Sequence, residues 1–325
     1  MHWNKLGQIF DTAACSLPLG CTAFAQAPQA LPLGDRTRVY FTARWLDQSN
    51  GKYLSHVAYA DFSPDFATVL DVSRHEVIAL GKRGSFDEHG IFPMNVLRHG
   101  DEVRGYTSGV NRRSSVPVDG AIGLAVSLDL GRTFERLGDG PVLAPSLHEP
   151  CIVVDPCVRE FDGLFHMWYV FGLGWTPSAS TAGPDRLYKI GHAVSRDGIA
   201  WTKDSEGRAI IADRLGATEC QAMPSVIRLE DRYHMFFCYR YASDFRSNRE
   251  RSYRIGHASS ADLVTWVRDD DELAIAPGPG AWDTDMLCYP HVVESAGRVY
   301  LLYNGNEFGR HGFGVAVLER SGSPM

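Results

Sequence analysis

Acidic side chains spaced around recurring prolines are the groups in this sequence best suited to chemistry. Asp155 immediately precedes Pro156. Glu219 and Asp285 stand five residues before Pro224 and Pro290, Glu88 holds the same offset before Pro93, and Asp283 and His291 flank the last of these prolines closely. Two carboxyl groups kept in different protonation states can divide acid and base work. The one that retains its proton donates it to a departing oxygen, and the ionised one attacks or activates water. Asp155, Glu219 and Asp285 are the catalytic candidates on this logic. Acids that converge on one point are costly unless a ligand, a proton or a cation offsets them. With His291 beside it, the same cluster would accept an axial cation such as calcium, although the sequence demands no cofactor and shows no metal-ligand motif.

Polar and aromatic residues near the same prolines supply candidate binding groups: Gln26, Arg44, Glu88, Arg240, Asp283, Tyr289 and His291. Arg44 and Arg240 end equivalent strands of two repeats, where a guanidinium can reach hydroxyls or an anion. Trp45, Trp175, Trp282 and Tyr289 offer faces for stacking. His192 and His257, and likewise Trp201 and Trp266, recur at equivalent places in two repeats and read as packing residues.

The elements that must position these groups are legible from a long repeat. Pro28, Pro93, Pro156, Pro224 and Pro290 follow one another at intervals of 65, 63, 68 and 66 residues. Each opens a short apolar run, then a turn, then an aromatic strand such as Phe165-His-Met-Trp-Tyr169. A third strand follows, carrying Ile-Gly-x-Ala-x-Ser-x-Asp in three of the repeats. Five such units of about four strands each predict an all-β, five-bladed β-propeller. The expected blades span 22–87, 88–150, 151–219, 220–285 and 286–320, the last completed by residues 3–10, all in one domain covering 1–325. The final repeat shows three strands, so Trp3–Phe10 is expected to pair at its edge and close the ring. Three insertions, Asn111–Asp119, Gly174–Asp185 and Ser243–Arg251, join second and third strands and mark recognition loops.

Side chains alternate faces along a strand. With the residue before each proline taken to face the axis, Asp155, Glu219, Asp285, Glu88 and His291 all share that face. Ala27 and Gln26 stand where the first blade would contribute its acid.

Composition excludes several partners. A net charge of −7 argues against nucleic acid or an anionic membrane, and no apolar run is long enough to span a bilayer. Seven cysteines without a Cys-x-x-Cys pair suit a reduced, cytoplasmic protein, and their mixed offsets from the prolines speak against a soft-metal site. The small-residue run Ala23-Phe-Ala-Gln-Ala27 imitates a leader cleavage site, but Gln8 and Asp11 interrupt the apolar core a leader needs.

Val154-Asp155-Pro156 with Phe161-Asp-Gly-Leu-Phe-His-Met-Trp-Tyr169, Glu219-Cys220 and the repeated Ser-x-Asp turns resemble the five-bladed glycoside hydrolases. These are the family 43 arabinanases and xylosidases, the invertases and levansucrases, and the family 130 mannoside phosphorylases. The resemblance implies a carbohydrate substrate cleaved in the central cavity, Glu219 as general acid and Asp155 as transition-state stabiliser or pKa modulator. It departs at Ala27, where those families place an acid. Asp285, Asp283 or Glu88 could replace it; phosphorolysis, glycosyl transfer and glycan binding without chemistry stay open. Ser127-Leu-Asp-Leu-Gly-Arg-Thr-Phe134 also matches a sialidase Asp-box, a structural turn.

Overall fold

The computed structural model describes residues 1–178, 183–279 and 282–319. Strand β1 (His2–Asp11) comes first and leaves the rest of the chain to build sheets in order. One sheet is β2 (Ala23–Pro32), β3 (Thr37–Asp47), β4 (Lys52–Phe62) and β5 (Val69–Val72); the next is β6 (Ile91–His99), β7 (Glu102–Gly109), β8 (Ile122–Ser127) and β9 (Glu135–Arg136). The third holds β10 (Cys151–Phe161), β11 (Leu164–Thr176), β12 (Asp185–Ser195) and β13 (Thr202–Lys203), and the fourth β14 (Glu219–Leu229), β15 (Arg232–Tyr241), β16 (Arg254–Ser260) and β17 (Val267–Arg268). The fifth has the order β1-β20-β19-β18, made by β18 (Cys288–Ser295), β19 (Arg298–Asn304) and β20 (Gly312–Glu319) closed by the first strand. Five antiparallel four-stranded sheets thus form the expected five-bladed propeller, with β1 as the closing strand.

Second strands are covered by neighbouring blades on both faces, which is why they read as continuous apolar runs. In β11 every residue from Phe165 to Phe171 is buried. Distinct apolar clusters fill the wedges: Phe41, Phe62 and Phe313 between first and fifth blades, Val57, Ile91 and Val103 between first and second, and Trp168, Met235 and Phe237 between third and fourth. The Ser-x-Asp turns are hairpin clasps. Asp129 accepts from the backbone N–H groups of Arg132 and Thr133, and Asp197 and Asp262 do the same in the next two blades. The repeat-equivalent histidines are internal pairs: His166 meets His192 at 3.1 Å and His234 meets His257 at 3.0 Å. Trp266 is buried and Trp201 packs half-buried between the second and third blades. All seven cysteines are free thiols. Among the described residues no helix is long and apolar enough to cross a membrane.

Of the insertions, 174–185 begins as an extension of β11 and β12, with Gly174 opposite Leu187, Trp175 opposite Arg186 and Thr176 opposite Asp185. Residues 179–182 of that insertion lie outside the described residues.

Candidate functional site

The innermost strands β2, β6, β10, β14 and β18 surround the axis, and each is interrupted at its proline. Four residues that precede these prolines, Ala27, Asp155, Met223 and Tyr289, have φ of 54°, 54°, 52° and 56°, and the fifth, Phe92, joins Pro93 through a cis peptide. At each place the pairing slips by one residue, between Gln26 and Gln29, Ile91 and Met94, Val154 and Cys157, Ala222 and Ser225, and Cys288 and His291. One extra residue on the inner strand is a β-bulge, and it reverses which parity faces the axis.

That reversal sorts the candidates. A central cavity of about 520 Å³ is lined by Gln26, Arg44, Asp155, Arg240 and Tyr289. Glu219, Asp283, Asp285, Glu88 and His291 do not line it. Glu219, five before its proline, lies upstream of the bulge on the parity opposite to the axial Ala222, so its strand turns it away, while Glu88 and Asp285 sit in the loops that lead into β6 and β18.

Glu219 is fully buried against its own blade. It accepts from Arg268 Nη1 at 2.6 Å, from the backbone N–H groups of Arg214 and Leu215 at 2.8 Å each, and from Gln221 Nε2 at 2.9 Å. Asp283 accepts from Lys5 Nζ at 2.6 Å and from Tyr303 Oη at 3.3 Å. Asp285 is held through its backbone: its N–H donates to Asn306 Oδ1 and its carbonyl accepts from Arg254. Glu88 accepts from the Gly84 N–H within its own turn. His291 follows the bulge and is buried, and burial, with the charge of Arg159 adding, pushes its pKa down to about 3. Among the described residues no three His, Cys, Asp or Glu side chains converge as a metal site.

Asp155 is placed by the bulge, which tips its side chain inward, and by its backbone N–H, which donates to Ser108 Oγ at 2.6 Å. Burial raises its pKa to about 7; a backbone hydrogen bond from Met223 and the charge of Arg186 work in the other direction. The other carboxylates on the cavity wall are committed. Asp119 pairs with Arg113, and Glu307 takes Arg310 at 3.4 Å and His311 at 3.3 Å. Among the described residues, Asp155 is therefore the cavity-lining carboxyl without an ion pair.

Opposite charge dominates the wall. Arg44, Arg112, Arg186, Arg240, Arg246 and Arg310 all line the cavity of a chain whose net charge is −7. Arg240 is 2% exposed and has no carboxylate partner among the described residues. Its Nε donates to Tyr188 Oη at 3.1 Å, its Nη1 to the carbonyls of Tyr241 and Ala242, and its guanidinium lies 3.5 Å from the Phe245 ring centre. Arg246 reaches Asp185 at 3.3 Å. Arg44 leaves its buried Nε without a partner; burial lowers its pKa, and the charges of Arg186 and Arg246 lower it further. Aromatic faces complete the lining, with Tyr289 in edge contact with Phe92 at 5.4 Å and tilted against Tyr253 at 5.7 Å. Of the other rings suited to stacking, Trp282 lies against Tyr303 and Trp45 packs between the first and fifth blades.

Arg186, Arg246, Tyr188 and Tyr253 were not singled out by the sequence reading. Arg246 sits inside the insertion 243–251 and Arg186 just beyond 174–185, so the long loops carried the signal, unassigned to individual residues.

The fold is a five-bladed β-propeller shared with solved structures of glycoside hydrolases and a phosphorylase. A structure described as a glycoside hydrolase superposes with a TM-score of 0.72 at 16% identity over 99% of this chain and 94% of its own. A thermostable family 43 glycoside hydrolase gives 0.66 at 14% identity over 95% and 98%. A β-1,2-mannobiose phosphorylase from Listeria innocua, solved with β-1,2-mannobiose, gives 0.67 at 13% identity over 97% and 95%. No protein-family model matches the chain. The chain belongs to the family of two Mycobacterium tuberculosis proteins, the uncharacterized proteins MT1551 and Rv1502, each 34% identical to it over 328 residues, 98% of this chain and all of theirs.

Proposed function

We propose that the protein is a carbohydrate-active enzyme that cleaves a glycosidic bond with inorganic phosphate, and that Asp155 is its general acid. The observation that carries this reading is the imbalance of the cavity wall: one unpaired carboxyl, protonated near neutral pH, faces a group of arginines. Hydrolysis by the usual two-carboxylate route requires a second acid about 5–9.5 Å from the first, as nucleophile or as base for water. Asp119 and Glu307 lie at the solvent-exposed rim in ion pairs with Arg113, Arg310 and His311, and Glu219 is locked to Arg268. Phosphate removes the need for that second acid, because it brings its own nucleophilic oxygen, and guanidinium groups suit its charge and geometry.

In the proposed step, the glycosidic oxygen takes the Asp155 proton as its bond to the anomeric carbon breaks. A phosphate oxygen held by Arg186 and Arg246 attacks that carbon from the opposite face. The products are a sugar 1-phosphate and a free hydroxyl compound, and Asp155, left ionised, is reprotonated from solvent. Burial serves the chemistry here, since it keeps the acid charged with its proton until the leaving oxygen needs it. The resemblance in fold to a mannobiose phosphorylase supports the same reading.

The test is turnover of a panel of aryl glycosides and disaccharides with and without inorganic phosphate, followed by ³¹P NMR. Formation of a sugar phosphate that depends on added phosphate is expected. Release of sugar at the same rate without phosphate would overturn phosphorolysis.

A further inference from the structure

Two buried polar atoms on the cavity wall lack any partner, and they lie on neighbouring strands of the first blade. Gln26 is 2% exposed; its Nε2 donates to the Phe308 carbonyl, which fixes the amide orientation and leaves Oε1 as an unpaired acceptor. Arg44 Nε is an unpaired donor carrying positive charge. Gln26 pairs with Thr42 and Ala23 with Arg44, so the two side chains are diagonal neighbours, within reach of one small ligand. A buried group without a hydrogen bond is costly, and the Arg44 guanidinium, on a half-buried side chain that lines the cavity and has no carboxylate partner among the described residues, is the group that an occupant of the cavity can best satisfy.

We infer that the sugar bound in this cavity is itself anionic, with a carboxylate, sulfate or phosphate substituent on Arg44 and a neighbouring hydroxyl donating to Gln26. The inference rests on the reading of the cavity as a glycoside site, and it asks more of the ligand than that reading does. A neutral sugar would satisfy Gln26 through a hydroxyl but would leave Arg44 a charged donor facing an uncharged acceptor. The charge census points the same way. Arg44, Arg112, Arg186 and Arg240 have no carboxylate partner among the described residues, more positive charge than one phosphate offsets. Arg112 stands on the same side as Arg44, donating to the carbonyl of Tyr53, whose ring makes an edge contact with Phe24 near the Arg44 guanidinium. His89 accepts from the Arg112 N–H through Nδ1, which leaves Nε2 as a further donor on this wall. An anion in this sector would meet donors from several sides.

The test is calorimetric binding of methyl uronides, sugar sulfates and sugar phosphates against their neutral parent glycosides, in phosphate-free buffer and again with saturating inorganic phosphate. At least one acidic sugar is expected to bind tenfold or more tightly than its parent, a difference of about 1.4 kcal/mol. That preference is expected to persist when phosphate is present, and to fall to near parity in Arg44→Met while Arg44→Lys keeps part of it. Neutral parents binding as tightly as every acidic form, or a preference that Arg44→Met leaves intact, would overturn the inference. So would stoichiometric displacement of the acidic sugar by phosphate, which would show one anion position instead of two. Should Arg44→Met not fold, the wild-type comparison decides alone. The readout is independent of turnover, so phosphorolysis can fail while an acidic preference stands, and the reverse.

Discussion

Arg268 donates to Glu219 at 2.6 Å and to both oxygens of Asp270, tying the innermost strand of the fourth blade to its outermost strand. The guanidinium lies over Tyr239 at 4.4 Å, and the whole group is buried. A carboxylate held by two backbone N–H groups, an amide and an arginine has no capacity left to act on a ligand, and it faces away from the cavity.

Glu219→Gln should therefore damage stability and leave chemistry alone. Removing one charge of a buried pair leaves Arg268 partly uncompensated, at a cost of about 3 kcal/mol, softened by Asp270. Urea titrations should show the lower midpoint, and the folded fraction should turn over substrate at the wild-type kcat. A folded variant with kcat reduced a hundredfold would return Glu219 to the catalytic machinery.

Asp155→Asn should do the opposite. The carboxyl binds its proton more tightly in the folded chain, about 7, than its usual 3.8. Protonation thus favours the native state, and stability is lost as pH rises from about 4 through 7. An asparagine at this place escapes the loss, so the variant should be more stable than wild type at pH 8 by something on the order of 2 kcal/mol, while the two converge near pH 4. Turnover should drop by a factor of about 10²–10⁴, the usual worth of a general acid, and wild-type activity should decline as pH climbs past about 7. Equal melting temperatures at pH 8 together with retained activity would remove Asp155 from this role.

The contrast between these two acids shows what the sequence could and could not convey. The blade repeat and the closing role of residues 3–10 follow from proline spacing and strand periodicity, whereas the inward aim of Asp155 entered as a premise and is set in the structure by the bulge at Asp155-Pro156. The place of Glu219 does not. A strict period of two puts it with Asp155, and only a one-residue bulge at Met223-Pro224, set by φ of 52°, breaks the parity. A bulge leaves no mark on an apolar-polar pattern, because both of its faces are buried here. The arginines show a different gap. Arg186 and Arg246 come from separate blades and reach one cavity wall only through tertiary folding, so their spacing of 60 residues carries no local signal.

Arg186 and Arg246 give the phosphate reading its kinetic consequence. Arg186→Met should raise the KM for phosphate by about 10- to 100-fold, the worth of one or two charge-assisted hydrogen bonds, with a smaller change in the KM for the glycoside. It should also lift the apparent pKa of Asp155 in the activity profile, because the Arg186 charge now restrains that pKa from rising further. Parallel increases in both KM values with an unmoved pH profile would assign Arg186 to the sugar instead.

A half-buried ion pair joins the closing strand to the rest of the fifth blade: Lys5 Nζ donates to Asp283 at 2.6 Å. Lys5 comes from β1 and Asp283 from the segment leading into β18, on opposite sides of the fifth blade. Around it, Phe10 stacks on Phe313 at 5.1 Å and Trp3 meets Phe236 of the fourth blade at 5.4 Å. Without β1 the edge of β20 would stand open, an invitation to pair with another chain. Lys5→Met alone should cost about 3 kcal/mol, because Asp283 is left buried with Tyr303 as its one side-chain partner among the described residues. Asp283→Asn added to that background should recover part of the loss, giving a coupling of about 1–3 kcal/mol in a double-mutant cycle. Deleting residues 1–11 should go further, converting a cooperative transition into concentration-dependent association seen by light scattering. Additive single and double variants, with a monomeric deletion variant that melts as the wild type does, would mean that the ring holds without its closing strand.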